Sequence, residues 1–310
     1  MESQVDRFQK MAEGNGWKGR VVPIGHLADL EEAVRGRYEA GLINAALYEE
    51  GLAWLSFNPP ADLPGARSIL VVAVPTPQMR LYFHWQGKRL PVVVPPTYVA
   101  YRSRTAGVQA VLEAWLRREG YGLAKPSLPL KTLAVCSGLA EYGRNNITYV
   151  DGMGSFLQLV GAFSDLPGDG DPWREPKALD RCGSCKACQN HCPTGAITQE
   201  RFLLHAEACL TYHNEAGREL PDWIAPSWHH CLIGCLRCQT VCPENRAVRN
   251  WFEDRAEFTE PETALFLQRA AFDQLPAETA TKVTSLEINE EFELLCRNLS
   301  LIIQRETRQS

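Results

Sequence analysis

Hydrophobic residues fall into short patterned runs along the first part of the chain. Apolar, mostly β-branched residues fill every position from Ile69 to Val74, directly after Ser68. A short apolar run without polar alternation predicts a buried strand. Leu81–Trp85 and Leu90–Val94 flank the tripeptide Gln-Gly-Lys, and this arrangement predicts a hairpin.

Other segments have the signals of helices. Asp29-Leu-Glu-Glu32 has the form of a capping box and predicts a helix that begins there and ends near Gly41. A later helix is indicated by apolar residues at helical spacing, with Gly120 suited to its end: Val108, Val111, Leu112, Trp115 and Leu116. Three more helices are predicted at 155–160, 262–274 and 288–304.

The cysteines are unevenly distributed. Of eleven cysteines, only Cys136 precedes residue 182 and only Cys296 follows residue 242. The turn-rich segment Asp165–Pro172 precedes the cysteine-rich region and predicts a boundary. We therefore expect an α+β domain at 1–170, a cysteine-rich domain at 171–250 and a short helical tail at 251–310.

Charge and hydropathy narrow the class of protein. The net charge of −5 argues against a generally basic nucleic-acid-binding face. The N-terminus has no apolar signal region, and the longest apolar run is too short to span a bilayer. We expect a cytoplasmic protein without a membrane partner. In a reducing cytosol, eleven cysteines indicate metal ligands or redox groups rather than disulfides.

The first cysteine motif has the spacing of an iron–sulfur protein. Cys182, Cys185, Cys188 and Cys192-Pro193 follow C-x2-C-x2-C-x3-C-P. This is the pattern of bacterial ferredoxins with two clusters, in which the fourth cysteine binds the other cluster. Three close thiolates bind three irons of one cubane, and the proline turns the chain so that the fourth thiolate reaches a neighbouring cubane.

A second motif repeats these features and completes the prediction of two 4Fe–4S clusters. Cys235, Cys238 and Cys242-Pro243 have the same x2 and x3 spacings and the same Cys-Pro ending. Crossing the two motifs assigns four ligands to cluster one: Cys182, Cys185, Cys188 and Cys242. Cluster two then takes Cys192, Cys235, Cys238 and one more cysteine.

The last ligand of cluster two has two candidates. A perfect repeat would have cysteine at 232, where the chain has Leu232; Cys231 and Cys209 remain. Structural zinc is the alternative for the whole set. Zinc takes four ligands, often as separated C-x2-C pairs, which fits eight thiolates with two Cys-Pro endings poorly.

Several ordered motifs resemble the epoxyqueuosine reductase family, over roughly residues 20–250. In the cysteine-rich region they are Gly183, the CPTGAI that ends at Ile197, Cys209-Leu-Thr-Tyr212, and Ile233-Gly-Cys235 through Cys242-Pro-Glu-Asn245. Before that region they are Leu63-Pro-Gly-Ala-Arg67, Gly138-Leu-Ala-Glu-Tyr-Gly143-Arg-Asn145 and Gly154-Ser155.

The resemblance implies a nitroreductase-like domain that binds cobalamin in a base-off state. It also implies a ferredoxin-like double-cluster domain whose clusters reduce the cobalamin, a plan shared with reductive dehalogenases. In this family Cys209 rather than Cys231 matches the remaining ligand of cluster two. The cofactor-binding residues that the resemblance implies are Gly138, Arg144, Asn145, Gly154 and Ser155.

The chain departs from the family pattern at two site positions. Family members have an aspartate, the expected proton donor, three residues before the proline that matches Pro129; here the residue is Pro126. Reductive cleavage of an epoxide needs a proton on the leaving oxygen, so the catalytic residue is left unassigned. Possible replacements, none of them favoured, are Tyr98, Tyr101, His84 and Glu141. The lysine of the family's Gly-Lys-Asn is Arg144, which keeps the charge and changes the geometry.

Three functions remain open. The first is a divergent cobalamin- and iron–sulfur-dependent reductase, supplied by an external low-potential electron donor and acting on a small molecule, a nucleoside or a corrinoid protein. The second is an electron-transfer or activator protein for a partner's corrinoid. The third is epoxyqueuosine reductase proper, acting on tRNA. About sixty residues follow position 250 where the family has a longer helical region, and this tail and the acidic chain weaken the tRNA hypothesis.

Overall fold

The computed structural model describes residues 2–308, and these divide into two units by their internal contacts. The first unit comprises Met1–Pro75, Ser103–Lys186 and Ile197–Ala206. The second comprises Thr76–Arg102, Ala187–Ala196 and Glu207–Ser310. The predicted division at 170 and 250 is a different one, and it stays a prediction.

The first unit mixes helices with antiparallel strands. Its elements are α1 (Gln4–Gly14), β1 (Lys18–Pro23), α2 (Leu27–Glu39), α3 (Ala45–Gly51), β2 (Ser68–Pro75), α4 (Tyr101–Glu119, within this unit from Ser103), α5 (Leu130–Cys136), β5 (Glu141–Tyr142), β6 (Thr148–Tyr149) and β7 (Leu157–Ser164). Strands β1, β2 and β7 form one sheet in that order, and β5 and β6 form a separate hairpin.

Strand β2 is the buried strand that the apolar run predicts. It pairs antiparallel with β1 on one side and with β7 on the other. Ile69 and Val71 face a cluster that includes Leu30 of α2 and Leu133 of α5. The intervening residues Leu70 and Val72 face another cluster, formed with Phe8 of α1 and Leu112 of α4. Helices thus cover both faces of the sheet, and no polar alternation is left in the strand.

Two of the predicted helix boundaries in this unit are wrong. Residues 155–160 do not begin a helix, because Leu157–Ser164 is strand β7, buried along nearly its whole length. A short apolar run has no period that separates a buried strand from a helix. Helix α2 begins at Leu27 rather than after Asp29, with no side-chain cap. The carboxylate of Asp29 instead lies 2.5 Å from Nδ1 of His26.

The second unit contains the predicted hairpin and the helices that follow residue 250. Its elements are β3 (Gln78–Trp85), β4 (Lys88–Val94), α6 (Ala187–His191), α7 (Leu210–Glu215), α8 (Arg237–Thr240), β8 (Phe252–Phe258), α9 (Glu260–Leu267), α10 (Ala277–Ser285) and α11 (Phe292–Arg308). Strands β3 and β4 form the hairpin through Gln86 and Gly87, both with positive φ, as two-residue hairpin turns require. The helix predicted at 262–274 ends earlier, at Leu267, and the helix predicted at 288–304 begins later, at Phe292.

The chain after residue 250 is part of the core of this unit. Strand β8 pairs parallel to β3. Helix α11 buries Phe292, Leu295 and Leu299 in the same apolar cluster as Leu232. This packing joins the C-terminal helix to the segment that precedes Cys235. Within residues 2–308 no helix is both long enough and apolar enough to cross a membrane.

Candidate functional site

The two Cys-Pro motifs form the same local structure in the second unit. The amide of Cys192 donates to the carbonyl oxygen of Gln189 at 3.2 Å, and the amide of Cys242 donates to that of Gln239 at 3.2 Å. Each turn closes a short helix, α6 or α8, and these two helices pack against each other. The repeat in the sequence is therefore a structural repeat.

Three of the cysteines predicted for cluster two are electrostatic neighbours. Burial raises the pKa of the Cys235 thiol to about 12, and the nearby Cys209 and Cys192 thiolates add to this shift. Burial also raises the pKa of Cys209, again with a contribution from Cys192. Without a metal these thiols stay protonated at neutral pH, and binding of iron or another metal would displace their protons.

The two candidates for the last ligand, Cys209 and Cys231, have different surroundings. Cys209 is the N-cap residue of α7 and is partly exposed. Cys231 is fully buried, and its segment is held against β4, where the amide of Leu232 donates to the carbonyl oxygen of Val93 at 2.9 Å. Burial raises the pKa of the Cys231 thiol, with a further contribution from Cys235. The choice of Cys209 as the last ligand stays a prediction.

The donor set fits cubane clusters. All eight predicted ligands are free thiols, and only Cys188 among them is classed as fully buried. Among the described residues, no group of three or more His, Cys, Asp or Glu side chains converges on a single-ion site. The thiolates of a cubane each bind a different iron, so they are not required to converge on one point.

The first unit holds Cys182 and Cys185 in a tight turn. Asp180–Gly183 is a short 3₁₀ helix, and the amide of Cys185 donates to the carbonyl oxygen of Arg181 at 3.3 Å. The guanidinium of Arg144 donates from Nη2 and Nε to the carbonyl oxygen of Cys182, at 2.9 and 3.3 Å. Arg144 therefore stabilises the beginning of the first motif.

The five predicted cofactor-binding residues lie along and beside the β5–β6 hairpin. Gly138 precedes β5 with a φ of 72°, and Gly154 follows β6 with a φ of 62° and exchanges backbone hydrogen bonds with Val150. Asn145 is buried in the turn, where it donates to the hydroxyl of Tyr149 at 3.0 Å and accepts from the amide of Ile147 at 3.3 Å. Ser155 is buried next to Gly154.

These hydrogen bonds use side-chain donors and acceptors of the hairpin that a cofactor would otherwise contact. The amide of Asn145 is bonded at both ends within the hairpin, and two nitrogens of Arg144 are bonded to Cys182. The side chains of these two residues stabilise the protein itself. Gly138 and Gly154 have left-handed backbone conformations and carry no side chain. The assignment of all five residues to cobalamin stays a prediction.

The proline at position 126 packs against the central sheet. A Cβ on Gly161 of β7 would lie 3.0 Å from Cγ of Pro126. The residue therefore fills space beside the strand and has no proton to donate. Of the possible replacements in the same unit, Glu141 carries an ion pair with Lys177 at 3.3 Å.

The possible replacements in the second unit are also engaged. The hydroxyl of Tyr98 donates to the carboxylate of Glu215, and burial raises the pKa of Tyr98 well above its usual range. Nε2 of His84 lies 2.5 Å from the carboxylate of Glu257. Tyr101 is exposed, at 41%. The proton donor therefore stays unassigned.

His229 has a buried imidazole that the sequence patterns do not predict. His229 is fully buried, and neither ring nitrogen has a hydrogen-bond partner within the described part of the chain. Burial first, and then the charge of Arg297, lowers the pKa of His229 to about 4. A histidine between Trp228 and His230 in a loop gives no indication of such burial.

The cysteine-rich region matches a known domain. The pattern of a 4Fe-4S double cluster binding domain covers residues 181–245, which include all eight predicted ligands. With the repeated turns and the free thiols, this match defines an iron–sulfur protein of the two-cluster class.

Comparison with curated proteins identifies the family. The epoxyqueuosine reductase of Synechocystis sp. is 30% identical over 214 residues, which are 64% of this chain and 71% of that protein. The enzyme of the same name from Cyclobacterium marinum is 32% identical over 151 residues, 48% of this chain. The chain belongs to the epoxyqueuosine reductase family. The match covers 46% of the Cyclobacterium relative's length, less than half of that protein.

The fold agrees with this assignment. A solved epoxyqueuosine reductase, crystallised with an epoxyqueuosine-modified tRNA-Tyr stem loop, superposes with a TM-score of 0.65 at 19% identity. The superposition covers 97% of this chain and 80% of that chain. The predicted α+β fold with a ferredoxin-type double-cluster region is confirmed.

Proposed function

We propose that this chain is an iron–sulfur reductase that holds two 4Fe–4S clusters, binds cobalamin and reduces an organic substrate with electrons from an external low-potential donor. The observation that carries the proposal is the pair of matching Cys-Pro turns inside residues 181–245, a region that fits a double cluster. Family membership supports the reductase class.

The cluster ligands are those of the crossed motifs. Cluster one is held by Cys182, Cys185, Cys188 and Cys242, and cluster two by Cys192, Cys209, Cys235 and Cys238. The neighbouring Cys192, Cys209 and Cys235 support the second set, because Cys192 comes from the first motif and the other two do not. When bound, the clusters supply one-electron carriers and the cobalamin supplies a nucleophilic, low-valent cobalt.

The chain's own residues have supporting tasks in this proposal. Partial burial of Cys209 and Cys235 raises the pKa of both thiols and limits the contact of the second set of ligands with water. Arg144 fixes the beginning of the first motif through the carbonyl oxygen of Cys182. Gly138, Gly154 and Ser155 mark the part of the first unit that would lie against cobalamin. Pro126 supplies no proton, so the proton that the leaving oxygen needs comes from elsewhere.

The substrate class is drawn from the relatives. They are named epoxyqueuosine reductases, and one solved member holds an epoxyqueuosine-modified tRNA stem loop. We propose an epoxide of this type as the substrate, in a tRNA stem loop or as the free nucleoside. Binding of a stem loop through phosphate contacts would need Lys and Arg side chains in an overall acidic chain and would weaken steeply with salt.

A second candidate is an electron-transfer or activator protein for a partner's corrinoid. It is favoured by Pro126 at the position of the expected acid and by the internal hydrogen bonds of Arg144 and Asn145. Pro126 replaces the acid that the reductase would present to its substrate. Arg144 and Asn145 use within the protein the polar groups that the reductase would present to its cofactor.

Substrate turnover separates the two candidates. The reconstituted protein, with a chemical reductant, is given an epoxyqueuosine-containing tRNA stem loop or the free nucleoside, with and without cobalamin, and the product is measured by mass spectrometry. The reductase proposal expects cobalamin-dependent loss of the epoxide from at least one of them. Intact epoxide in both, from protein with both clusters, would favour the electron-transfer candidate.

A further inference from the structure

We infer that Arg297 and Asn298 of helix α11 are positioning residues for cluster two, which fasten together the two segments carrying Cys209 and Cys235. The inference rests on the clusters of the proposed function. It assigns a task to the C-terminal helix that is independent of substrate.

Arg297 caps the end of the helix that begins at Cys209. The last carbonyl groups of any helix lack partners within the helix. The guanidinium of Arg297 donates from Nη2 to the carbonyl oxygens of His213 and Asn214 in α7, at 3.1 and 3.4 Å. From Nη1 it donates to the carbonyl oxygen of Ala216 at 2.9 Å and to that of Arg218. One side chain thus fixes the C-terminal end of α7 and the chain beyond it.

Asn298 joins this helix end to the segment that leads into Cys235. It is fully buried. Its Nδ2 donates to the carbonyl oxygens of Asn214 and Leu232, at 3.0 and 2.9 Å. Its Oδ1 accepts from Nε and Nη2 of Arg297, at 3.1 and 3.0 Å. Both residues therefore act as one unit.

A further hydrogen bond joins α7 directly to the residue before Cys235. Nδ2 of Asn214 donates to the carbonyl oxygen of Gly234, the residue before Cys235, at 3.0 Å. Cys209 lies at one end of α7 and Asn214 near the other. A change in the position of α7 relative to Gly234 would change the separation of the Cys209 and Cys235 thiols.

Among the described residues, the guanidinium of Arg297 is hydrogen-bonded to neutral groups. The side chain is nearly fully buried, and its hydrogen-bond acceptors are four backbone carbonyls and an amide oxygen. The carboxylate of Glu219 pairs with Arg269 at 3.5 Å, and its charge partly offsets the burial that lowers the pKa of Arg297. The charges that act on the Cys235 thiol belong to Arg237, Cys209 and Cys192. The task of Arg297 for cluster two is therefore to hold the backbone of α7 and the chain beyond it in place.

The test compares variants of the reconstituted full chain. Iron content and the midpoint potentials of both clusters are measured, the latter by EPR-monitored redox titration, with cluster one as the internal reference. For Arg297→Gln we expect partial loss of iron from cluster two. In the cluster that remains, we expect a changed midpoint potential for cluster two and an unchanged one for cluster one, because only the ligands of cluster two are displaced. Arg297→Lys keeps a donor to these carbonyl oxygens, so it should restore part of the iron content. Asn298→Ala should lose iron from cluster two in the same way as Arg297→Gln.

Arg305→Gln is the matched control. Arg305 lies on the same helix and donates to the carbonyl oxygen of His229 at 2.8 Å, but its charge is paired with Glu306. We expect Arg305→Gln to lose several-fold less iron from cluster two than Arg297→Gln. Equal losses in the two variants would contradict a specific role for Arg297.

The outcomes separate this inference from the proposed function. If the wild-type chain holds both clusters and neither Arg297→Gln nor Asn298→Ala changes the iron content or potential of cluster two, the inference is overturned. If Arg297→Gln does not fold, Arg297→Lys and Asn298→Ala decide by the same readouts. A wild-type chain that holds no clusters would overturn the proposed function itself.

Discussion

Arg144 is hydrogen-bonded to the carbonyl oxygen of Cys182, at 2.9 Å from Nη2 and 3.3 Å from Nε. The family has lysine at this position, and the resemblance implies a contact with the cofactor. In this chain two N–H groups of the planar guanidinium converge on one carbonyl oxygen, a geometry that the ammonium group of lysine does not reproduce. We therefore expect substitutions at Arg144 to affect cluster one first.

Replacement of Arg144 tests this expectation. Arg144→Gln should loosen the 3₁₀ turn that holds Cys182 and reduce the EPR signal and iron content of cluster one, while cluster two is retained. Arg144→Lys should show a smaller loss, because it keeps the charge and one donor. If Arg144→Gln leaves cluster one intact and removes only cobalamin binding, the expectation is contradicted. Arg144 would then be a cofactor-binding residue.

The crossing of the motifs predicts a counterintuitive result for Cys192. Although Cys192 lies in the first motif, Cys192→Ala should damage cluster two and leave cluster one, as judged by iron content and EPR. If the Cys182, Cys185 and Cys188 cluster is lost and the other is intact, the crossing is wrong.

The choice between Cys209 and Cys231 is tested in the same way. Cys209→Ala should lose cluster two, whereas Cys231→Ala should keep about eight irons per chain, the content of two cubanes. Cys231→Ala removes only a buried sulfur, with a cost in unfolding free energy of about 1 kcal/mol. Loss of cluster two in Cys231→Ala, with retention in Cys209→Ala, would reverse the assignment.

Gly234 is expected to tolerate no side chain. Its φ is 66°, and a Cβ there would lie 2.8 Å from the hydroxyl oxygen of Tyr98. Gly195 has a similar φ of 67° but nothing within 4 Å of a Cβ, so it isolates the backbone strain. We expect Gly195→Ala to lower the free energy of unfolding by about 1–2 kcal/mol and Gly234→Ala to lower it by about twice that. Thermal unfolding of the two variants measures the difference, and equal destabilisation would contradict the contact with Tyr98.

The buried histidines predict a loss of stability in mild acid. Burial first lowers the pKa of His229 and His230 from 6.5 to about 4, so the unfolded chain takes up protons before the folded chain does. Their contribution is complete above pH 6.5 and is lost as the pH falls toward 4, by up to about 1.4 kcal/mol per pH unit for each histidine. The thermal midpoint between pH 7.5 and 5.5 should fall less steeply in His229→Gln/His230→Gln, with iron content checked at each pH. An unchanged slope would contradict the lowered pKa values.

The cysteine motifs could be predicted from the sequence because ligand spacing is local. The interval between two ligands and the proline after the last one determine which irons the thiolates reach. The same local logic predicted strand β2 and the β3–β4 hairpin, both of which are confirmed. The helix predicted at residues 155–160 is wrong, because a short buried run has no period that distinguishes a helix from a strand.

Contacts between distant positions could not be predicted. Arg144 and Cys182 are separated by 38 positions, and Arg297 and His213 by 84. Nothing in the residue types at either end specifies the partner. A polar Arg-Asn pair inside the apolar face of helix α11 was the available signal, since a buried polar pair in a helix needs partners.

The most direct test of the central claim is the cofactor content of the protein itself. The chain is purified anaerobically, reconstituted with iron and sulfide, and titrated with cobalamin while iron, cobalt, visible and EPR spectra are recorded. We predict about eight irons per chain and one bound base-off cobalamin that is reduced when the clusters are reduced. Two clusters without cobalamin binding would contradict the reductase and leave an electron-transfer protein, and a chain that holds zinc in place of iron would contradict both.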